Sequence, residues 1–397
     1  MVSIKRKNSG SIRDVAGMLV AGALAFAGLV NAADGDYSRV YRHTLALKTG
    51  ETLRVANLAG AIQVVPGKGS ELVVEATIHG AGSDSAEIRQ IVDSMAFVTS
   101  HDRKGRAEWA LSYPVDKYDG FAYPSRDGGS SWFDNSRTNL EYMGRKVSIY
   151  SRQRSQVPVL YADLRIELPA AGAVVLRNGA GSVHGSRLSG DLGIDTGSGD
   201  VEIEAFDGKL SIDTGSGDVG LGEMRADLKV DTGSGDVRVA SLVGDGTIDT
   251  GSGDIEVKTV NGHTFAADTG SGNVRVGTGE VVTLTADTGS GDIRIEGVEV
   301  ETFKGDTGSG DVTLKSSLAK ARDIVVDTGS GSVRIFAGAD ASFDIEADQG
   351  SGDLVVGYED AVYKRHGREI YGARRGDGKT RIRVETGSGD CVIKPQA

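Results

Sequence analysis

Cysteine is nearly absent from this chain of 397 residues: there is one, Cys391. No internal disulfide can form, so the fold must be held by burial and backbone hydrogen bonding. Proline is also scarce, six in all, with none between Pro169 and Pro395. Such a stretch leaves every backbone N–H free to join a ladder, as strand after strand requires. Long apolar runs are missing after Val30, so no later segment can cross a membrane as a helix. Basic residues are outnumbered, 44 Lys and Arg against 56 Asp and Glu, which gives a net charge of −12 and argues against a nucleic-acid partner. Catalytic signatures are missing too. The six histidines (His43, His79, His101, His184, His263, His366) have no metal-ligand spacing, and there is no GxSxG, HExxH, phosphate-binding glycine loop or nucleophilic cysteine setting.

What the chain has in abundance is glycine, 58 residues, and much of it recurs in one motif, Asp-Thr-Gly-Ser-Gly-Asp. The motif starts at Asp195, Asp213, Asp231, Asp249, Asp268, Asp287, Asp306 and Asp327, with variants at Asp348 and Glu385; successive starts lie 18, 18, 18, 19, 19, 19, 21, 21 and 37 residues apart. A period near 20 is the mark of a solenoid, in which stacking rather than any single unit makes the core. The residues just after the motif are apolar in every copy (Val201, Val219, Val237, Ile255, Val274, Ile293, Val312, Val333, Leu354, Cys391), and so are those two further on. The residues between are mostly polar, the alternation of a strand with one face buried. The expected fold is therefore all-β: a parallel β-solenoid, or β-helix, of 18–21-residue coils with strand, glycine turn, strand and turn in each. Glycine is expected in the turn for its access to positive φ. Ten coils at the strand spacing of ~4.8 Å make a rod of roughly 50 Å. Cys391 falls in the inward column and reads as core.

Weaker copies lie upstream, Arg177-Asn178-Gly179-Ala180-Gly181-Ser182-Val183 and Ala56-Asn57-Leu58-Ala59-Gly60-Ala61-Ile62. Between them Asp84 is placed to cap a helix with Ile88, Ile91, Val92 and Met95 on one face, followed by strands near 96–100 and 107–113. Residues 1–32 read as a signal peptide: a basic start, an apolar run from Val15 to Val30 and an A-x-A-like site before Ala33. The run is short for a spanning helix, which favours cleavage over an uncleaved anchor and leaves no transmembrane span. The resulting organisation is signal peptide 1–32, solenoid start with short helix 40–114, aromatic Gly/Ser-rich insertion 115–145, and repeat solenoid 146–397 with a basic insertion at 358–383.

The early Ala-Asn-Leu-Ala-Gly-Ala-Ile strand-turn, the short helix, the Leu168-Pro169 strand end and the reiterated Thr-Gly-Ser-Gly-Asp-Val turns resemble the bacterial putative-adhesin family of β-strand-repeat envelope proteins, formally a domain of unknown function. That resemblance implies a binding or structural role at the cell envelope and no catalytic residues.

Two segments depart from the plain repeat and are the candidate binding sites. The insertion carries Tyr118, Phe121, Tyr123, Trp132, Phe133 and Tyr142 among Gly, Ser and Asp. Exposed rings suit sugar faces or protein contacts, although the same rings could fold back over an open side of the rod. The gap before the last repeat holds Lys364, Arg365, Arg368, Arg374, Arg375 and Lys379, a basic patch for anionic glycan, lipid headgroups or the rod's own aspartates, or a charged cap over the last coil. The two Asp columns beside the turns would repel one another unless offset. We expect their carboxylates to accept from N–H groups of their own turns while Arg and Lys columns neutralise the field. Ca²⁺ between coils is the alternative, disfavoured because the spacing is not that of calcium-binding repeats and one acid sits at each turn shoulder. No cofactor and no obligatory metal are expected.

The functional expectation is a non-enzymatic, exported envelope protein, periplasmic, outer-surface or extracellular, that recognises a glycan or protein surface. The competing readings are a polysaccharide-acting β-helix enzyme and a periplasmic envelope-stress structural protein.

Overall fold

In-register stacking of the repeat organises the whole molecule. The computed structural model describes residues 36–47, 50–102, 104–123, 137–151, 157–169 and 172–396; the 1–32 leader, Trp132 and Phe133 lie outside them. From Val183 onward each coil contributes one strand after the motif and one before it, and equivalent residues of successive coils face each other in parallel pairs, as in Val201↔Val219 and Asp213↔Asp231. The inward columns are buried as the alternation predicts, with Val201, Val237, Ile255, Val274, Val312 and Val333 completely inaccessible. Cys391 stands in that column, and burial pushes its thiol up to about 12, so it is core and not a nucleophile.

The turn explains the motif. A Cβ on Gly272 would lie 1.8 Å from the carbonyl oxygen of Gly253 in the preceding coil, and one on Gly331 the same distance from Gly310 O. The second glycine is therefore required by the close approach of stacked turns. Left-handed φ, which the sequence reading made the reason, occurs at this position in Gly199, Gly217 and Gly235 and not from Gly253 onward. The threonine before it points inward. Thr269 Oγ1 donates to Gly253 O (2.9 Å) and accepts from Gly272 N–H (3.1 Å), and Thr288, Thr307, Thr328 and Thr386 repeat the pattern. Buried hydroxyls thus satisfy the turn carbonyls that stacking takes from water. In the two upstream copies Asn178 and Asn57 stand in the same row and do this with amides, Asn178 Nδ2 donating to Gly60 O at 2.8 Å and Asn57 Nδ2 to Ala162 O at 2.9 Å.

The order of coils in space is not their order in sequence. The last strands of the chain, Thr380–Thr386 and Cys391–Pro395, pair on one side with Asp323–Thr328 and Val333–Ala337 and on the other with Phe343–Asp348 and Leu354–Val356. The final coil is inserted between its two predecessors, and the 37-residue gap in the motif spacing is the excursion that brings the chain back. Its return limb is an antiparallel hairpin, Val362–His366 with Glu369–Arg375, that packs on the outermost coil through Phe343–Glu346. The other end repeats the device: Thr52–Ala59 lies between Ala173–Ala180 and Ala107–Leu111, and Ile62–Pro66 between Val159–Leu168 and Val183–Gly185. Beyond it, Asp36–Ala46 and Glu71–Ala81 close the edge as antiparallel strands. The helix Ser85–Ser94, capped by Asp84 as expected, buries Ile88 and Val92 there. Gly80 lets it in, since a Cβ at that position would meet both side chains at 2.7 Å.

An inserted coil has two faces to lose. A chain ending at residue 378 strips the outermost coil of its parallel partners on both sheets, so thermal unfolding is expected to begin well below that of the full chain, and a synthetic peptide of residues 379–397 to restore the difference. An unchanged melting curve for the truncated chain would show that the inserted strands contribute nothing.

Candidate functional site

Two rows of carboxylates run along the rod, and they differ in what they meet. The row after the turn is hydrogen-bonded from coil to coil: Asp218 N–H donates to Asp200 Oδ1, Asp236 N–H to Asp218 Oδ1 and Asp254 N–H to Asp236 Oδ1, each at 2.9 Å. The acceptor is thus used by the next coil, not by its own turn as the sequence reading held. Asn273, which interrupts the acids, does the same work uncharged, accepting from Asp292 N–H at 3.0 Å. The row's purpose is therefore the hydrogen bond. Arg238, Arg275 and Arg334 sit beside it and pair with Asp236 (2.5 Å), Asp254 (3.2 Å) and Asp311 (2.6 Å). The Asn273 N–H and amide holds Asp254 below the ordinary carboxylate range, and hydrogen bonds from Arg334 and Ser332 lower Asp311 against the cost of its desolvation.

The row before the turn has no such ladder of N–H groups among the described residues, and cations stand beside it at Asp195 (Arg177 Nε, 3.4 Å) and Asp306 (Lys304 Nζ, 3.6 Å). Asp195, Asp213, Asp231, Asp249, Asp268, Asp287, Asp306, Asp327, Glu385 and Asp348 stand side by side in register. Desolvation, and next the flanking carboxylates, push Asp213, Asp268 and Asp287 upward. No group of three His, Cys, Asp or Glu is placed to hold a metal ion among the described residues.

A groove of about 460 Å³ opens at the N-terminal end of this row. One wall is the hairpin Arg137–Tyr142/Arg145–Tyr150 of the insertion, which presents Asn139 and Glu141; the floor is Arg177, Asp195 and Asp213; the far wall is the loop of Asp102, Lys104 and Arg106. The charges are fixed from behind. Arg177 Nη1 donates to the buried Glu108 at 2.7 Å and its Nε lies 3.4 Å from Asp195. Asp102 accepts from Arg106 Nε at 2.6 Å and from the N–H groups of Lys104 and Arg106, which together carry it down to about 2 in spite of burial.

The four predicted aromatic residues that lie among the described ones do not form one surface. Phe121 is fully buried, edge-on to Tyr113 and Tyr118 at 5.6 and 6.1 Å, and Tyr142 is buried with its hydroxyl between Leu111 O (2.8 Å) and Ala56 O (3.1 Å). These two rings are core, because the insertion folds back over the open side of the first coils. Tyr118 and Tyr123 are half-buried, the first donating to Glu87 at 3.0 Å and the second tilted on Tyr161 at 5.2 Å. The basic patch is mostly turned inward. Lys364 pairs with Asp344 and Glu346, Arg375 with Asp360 while covering Tyr358, Arg374 reaches Asp377 O, and Lys379 reaches Ala319 O. Arg365 stacks on Tyr363 at 5.6 Å, and Arg368 has no ion-pair partner among the described residues. The groove itself was not legible in sequence. Its walls come from residues 102–106, 139–141 and 177–213, which only the interleaved N-terminal stack brings together.

The profile of the Toastrack DUF4097 family matches residues 171–242 and 223–394, more than half of the chain. The chain belongs to the Toastrack DUF4097 family. Among solved structures, a putative lipid binding protein from Parabacteroides distasonis is similar at 10% identity, with 91% of this chain and 98% of that one covered and a TM-score of 0.31. A putative adhesin from Bacteroides fragilis is similar at 10% identity (90% and 97% covered, TM-score 0.30), and a putative cell adhesion protein from Clostridium sporogenes at 12% (90% and 100% covered, TM-score 0.16). No curated protein matches. This Toastrack chain is thus a β-solenoid of a family without an assigned biochemical activity.

The two carboxylate rows give stability an acid optimum. A carboxyl raised by folding opposes the folded state at neutral pH, and that opposition is relieved as pH falls through its raised value. The lowered groups contribute stability above the ordinary Asp range that is lost as pH falls through their lowered values, for Asp102 at about 2. The melting temperature is therefore expected to rise as acidification from pH 7 protonates the raised carboxyls, and to fall once pH drops below the ordinary Asp value of about 4. Asp287→Asn should raise it at pH 7 by on the order of 1 °C and flatten the neutral limb, whereas Asp254→Ala, which strands Asn273 N–H, should cost roughly 1 kcal/mol and Asp254→Asn much less. Urea titrations at pH 7 and 5 read all three.

Proposed function

We propose that this chain is an exported, non-enzymatic binding scaffold of the bacterial envelope that takes a neutral, hydroxyl-rich glycan in the N-terminal groove. The observation that carries the reading is the groove's lining, in which donors (Arg106, Arg177, Asn139) alternate with acceptors (Asp102, Asp195, Glu141) and the principal charges are held by buried partners. Sugars are recognised by such pre-set polar forks, and a lining that sets Lys104, Arg106 and Arg177 against Asp102, Glu141, Asp195 and Asp213 has no basic excess to draw an anionic polymer. The names of the solved structures, two of which refer to adhesion, agree with binding rather than turnover. Export rests on the Val15–Val30 run and the site before Ala33. The aromatic insertion keeps its part in this proposal as the groove's wall, with Trp132 and Phe133 on the same insertion.

Catalysis on polysaccharide is the weaker reading. Raised carboxyls recur at Asp213, Asp268 and Asp287 along the rod, the consequence of a repeat, and Asp102 at about 2 is too acidic to protonate a leaving group.

Binding to isolated envelope glycan, read by sedimentation or calorimetry, tests the proposal. Asn139→Ala and Arg106→Ala are expected to weaken it about tenfold each, a loss of ~1.4 kcal/mol, with little dependence on salt. Unchanged affinity in variants that melt like the parent would remove the groove from the reading, and new reducing ends on incubation would replace it with the enzymatic one. Deleting residues 116–144 is not a usable test, because it takes Phe121 and Tyr142 out of the core.

A further inference from the structure

The return hairpin at the C-terminal end of the rod carries chemistry that capping does not use. Val362 is 71% exposed, Tyr363 38% and Tyr371 42%, and Val355 on the adjoining outermost strand is 49% exposed. These four make up most of the large apolar side chains left open to solvent among the described residues. Beside them, in and next to the tip His366-Gly367-Arg368, are two cations with no ion pair among the described residues, Arg365 stacked on Tyr363 and Arg368, with Glu369 the one acid at the tip. On a chain of net charge −12 this is a local inversion of sign joined to an apolar, tyrosine-bearing tip.

We propose that this hairpin is a docking surface for an anionic phospholipid bilayer. Three observations select that occupant. The first is charge: guanidinium groups flanked by valine and tyrosine suit the headgroup layer of an acidic membrane, where the cations meet phosphate and the rings and branched chains enter the interface. The second is place, because the exposed side chains sit on a two-stranded limb whose outer strand pairs on one side only, Tyr363 and Arg365 on one face and Val362 on the other, so that the free edge and tip of the hairpin are what enter the interface. The third is what the edge excludes. Val362–His366 pairs on one side only, but it carries Lys364, Arg365 and His366 and a register shift between Lys364 and Arg365, features that oppose addition of another strand, a second copy of this chain included.

The test is co-sedimentation of the full chain with vesicles of phosphatidylcholine alone and of phosphatidylcholine with 30% phosphatidylglycerol, at low and high salt. The Val15–Val30 run can partition by itself, so the reading is the difference between the parent and hairpin variants that carry the same N-terminus. Binding to the acidic vesicles is expected to fall at least fivefold in Arg365→Glu/Arg368→Glu and in Val362→Asn/Tyr371→Asn, to weaken with salt, and to show no such difference on phosphatidylcholine. All four side chains are exposed, and melting curves matching the parent's confirm that the variants fold. Equal binding by parent and variants overturns the proposal. So does a hairpin-dependent affinity for a soluble anionic polysaccharide as strong as that for the acidic vesicles, which would make the partner a polymer. Neither outcome bears on the glycan groove, whose residues the variants leave untouched.

Discussion

Everything in this rod depends on how closely one turn can lie on the next. The parallel ladders fix successive coils at strand spacing, and at that spacing the turn's α-carbons meet the carbonyl oxygens below with no room for a side chain. Glycine satisfies the geometry, and the inward threonine satisfies the polarity that the geometry buries: Thr232 and Thr250 donate to the turn below, Thr269, Thr288, Thr307, Thr328 and Thr386 give and receive a hydrogen bond, and the hydroxyls of Thr196 and Thr214 alone in the row are buried without a partner among the described residues. The motif is thus a solution to packing and polar satisfaction together. Its two glycines and its threonine are parts of one device, which is why they recur as a unit while the strands vary freely among Val, Ile and Leu.

Stacking imposes charge as well. A repeated residue becomes a row, and a repeated acid becomes a row of like charges at ~4.8 Å. The two acids flanking the turn meet this differently. The one after it spends its carboxylate on the next coil's N–H and gains an arginine neighbour, so that its ionised form supports the fold. The one before it has no such ladder and, among the described residues, pairs with a cation at two positions rather than coil by coil, Arg177 at Asp195 and Lys304 at Asp306, so that desolvation and the neighbouring acids push Asp213 upward. The substitution of Asn273 into the first row without loss of the ladder separates the two roles: there the oxygen matters and the charge does not.

The periodic part of the molecule was legible in the sequence because the solenoid writes each structural requirement ten times over. The inward columns, the helix capped by Asp84 and the core placement of Cys391 follow from alternation and spacing alone. What was not legible occurs once. The insertion of the final coil between its predecessors leaves only an irregular spacing as a trace, since Cys391 and Leu354 are equally suited to either slot. For Phe121 and Tyr142 the sequence left two readings open, exposed rings or rings folded back over the rod, because polar loop residues surround them; the open side of the first coils decides it, and both are buried there. The acceptor for each Asp was misplaced for a related reason: a local turn and the turn above it offer chemically identical N–H groups, and only the register chooses between them.

Interleaving at both ends also bears on how such a rod can be used. A solenoid whose terminal coils merely lie on top frays from its ends, because each end coil has one neighbour. Here the first coil, 52–66, and the last, 380–395, are each held between two others, and the outermost layers are tied back by antiparallel strands. The ends are therefore the places where the chain has added structure to the repeat, and they are where its surface chemistry departs from the uniform acid and glycine rows. The groove at one end is polar and walled by the insertion; the hairpin at the other is cationic and apolar. Ten coils separate them by roughly 50 Å. If the groove takes a glycan and the hairpin a bilayer, as proposed above, the rod is a rigid spacer between two unlike surfaces, and the uniform rows between its ends need no function beyond keeping that distance.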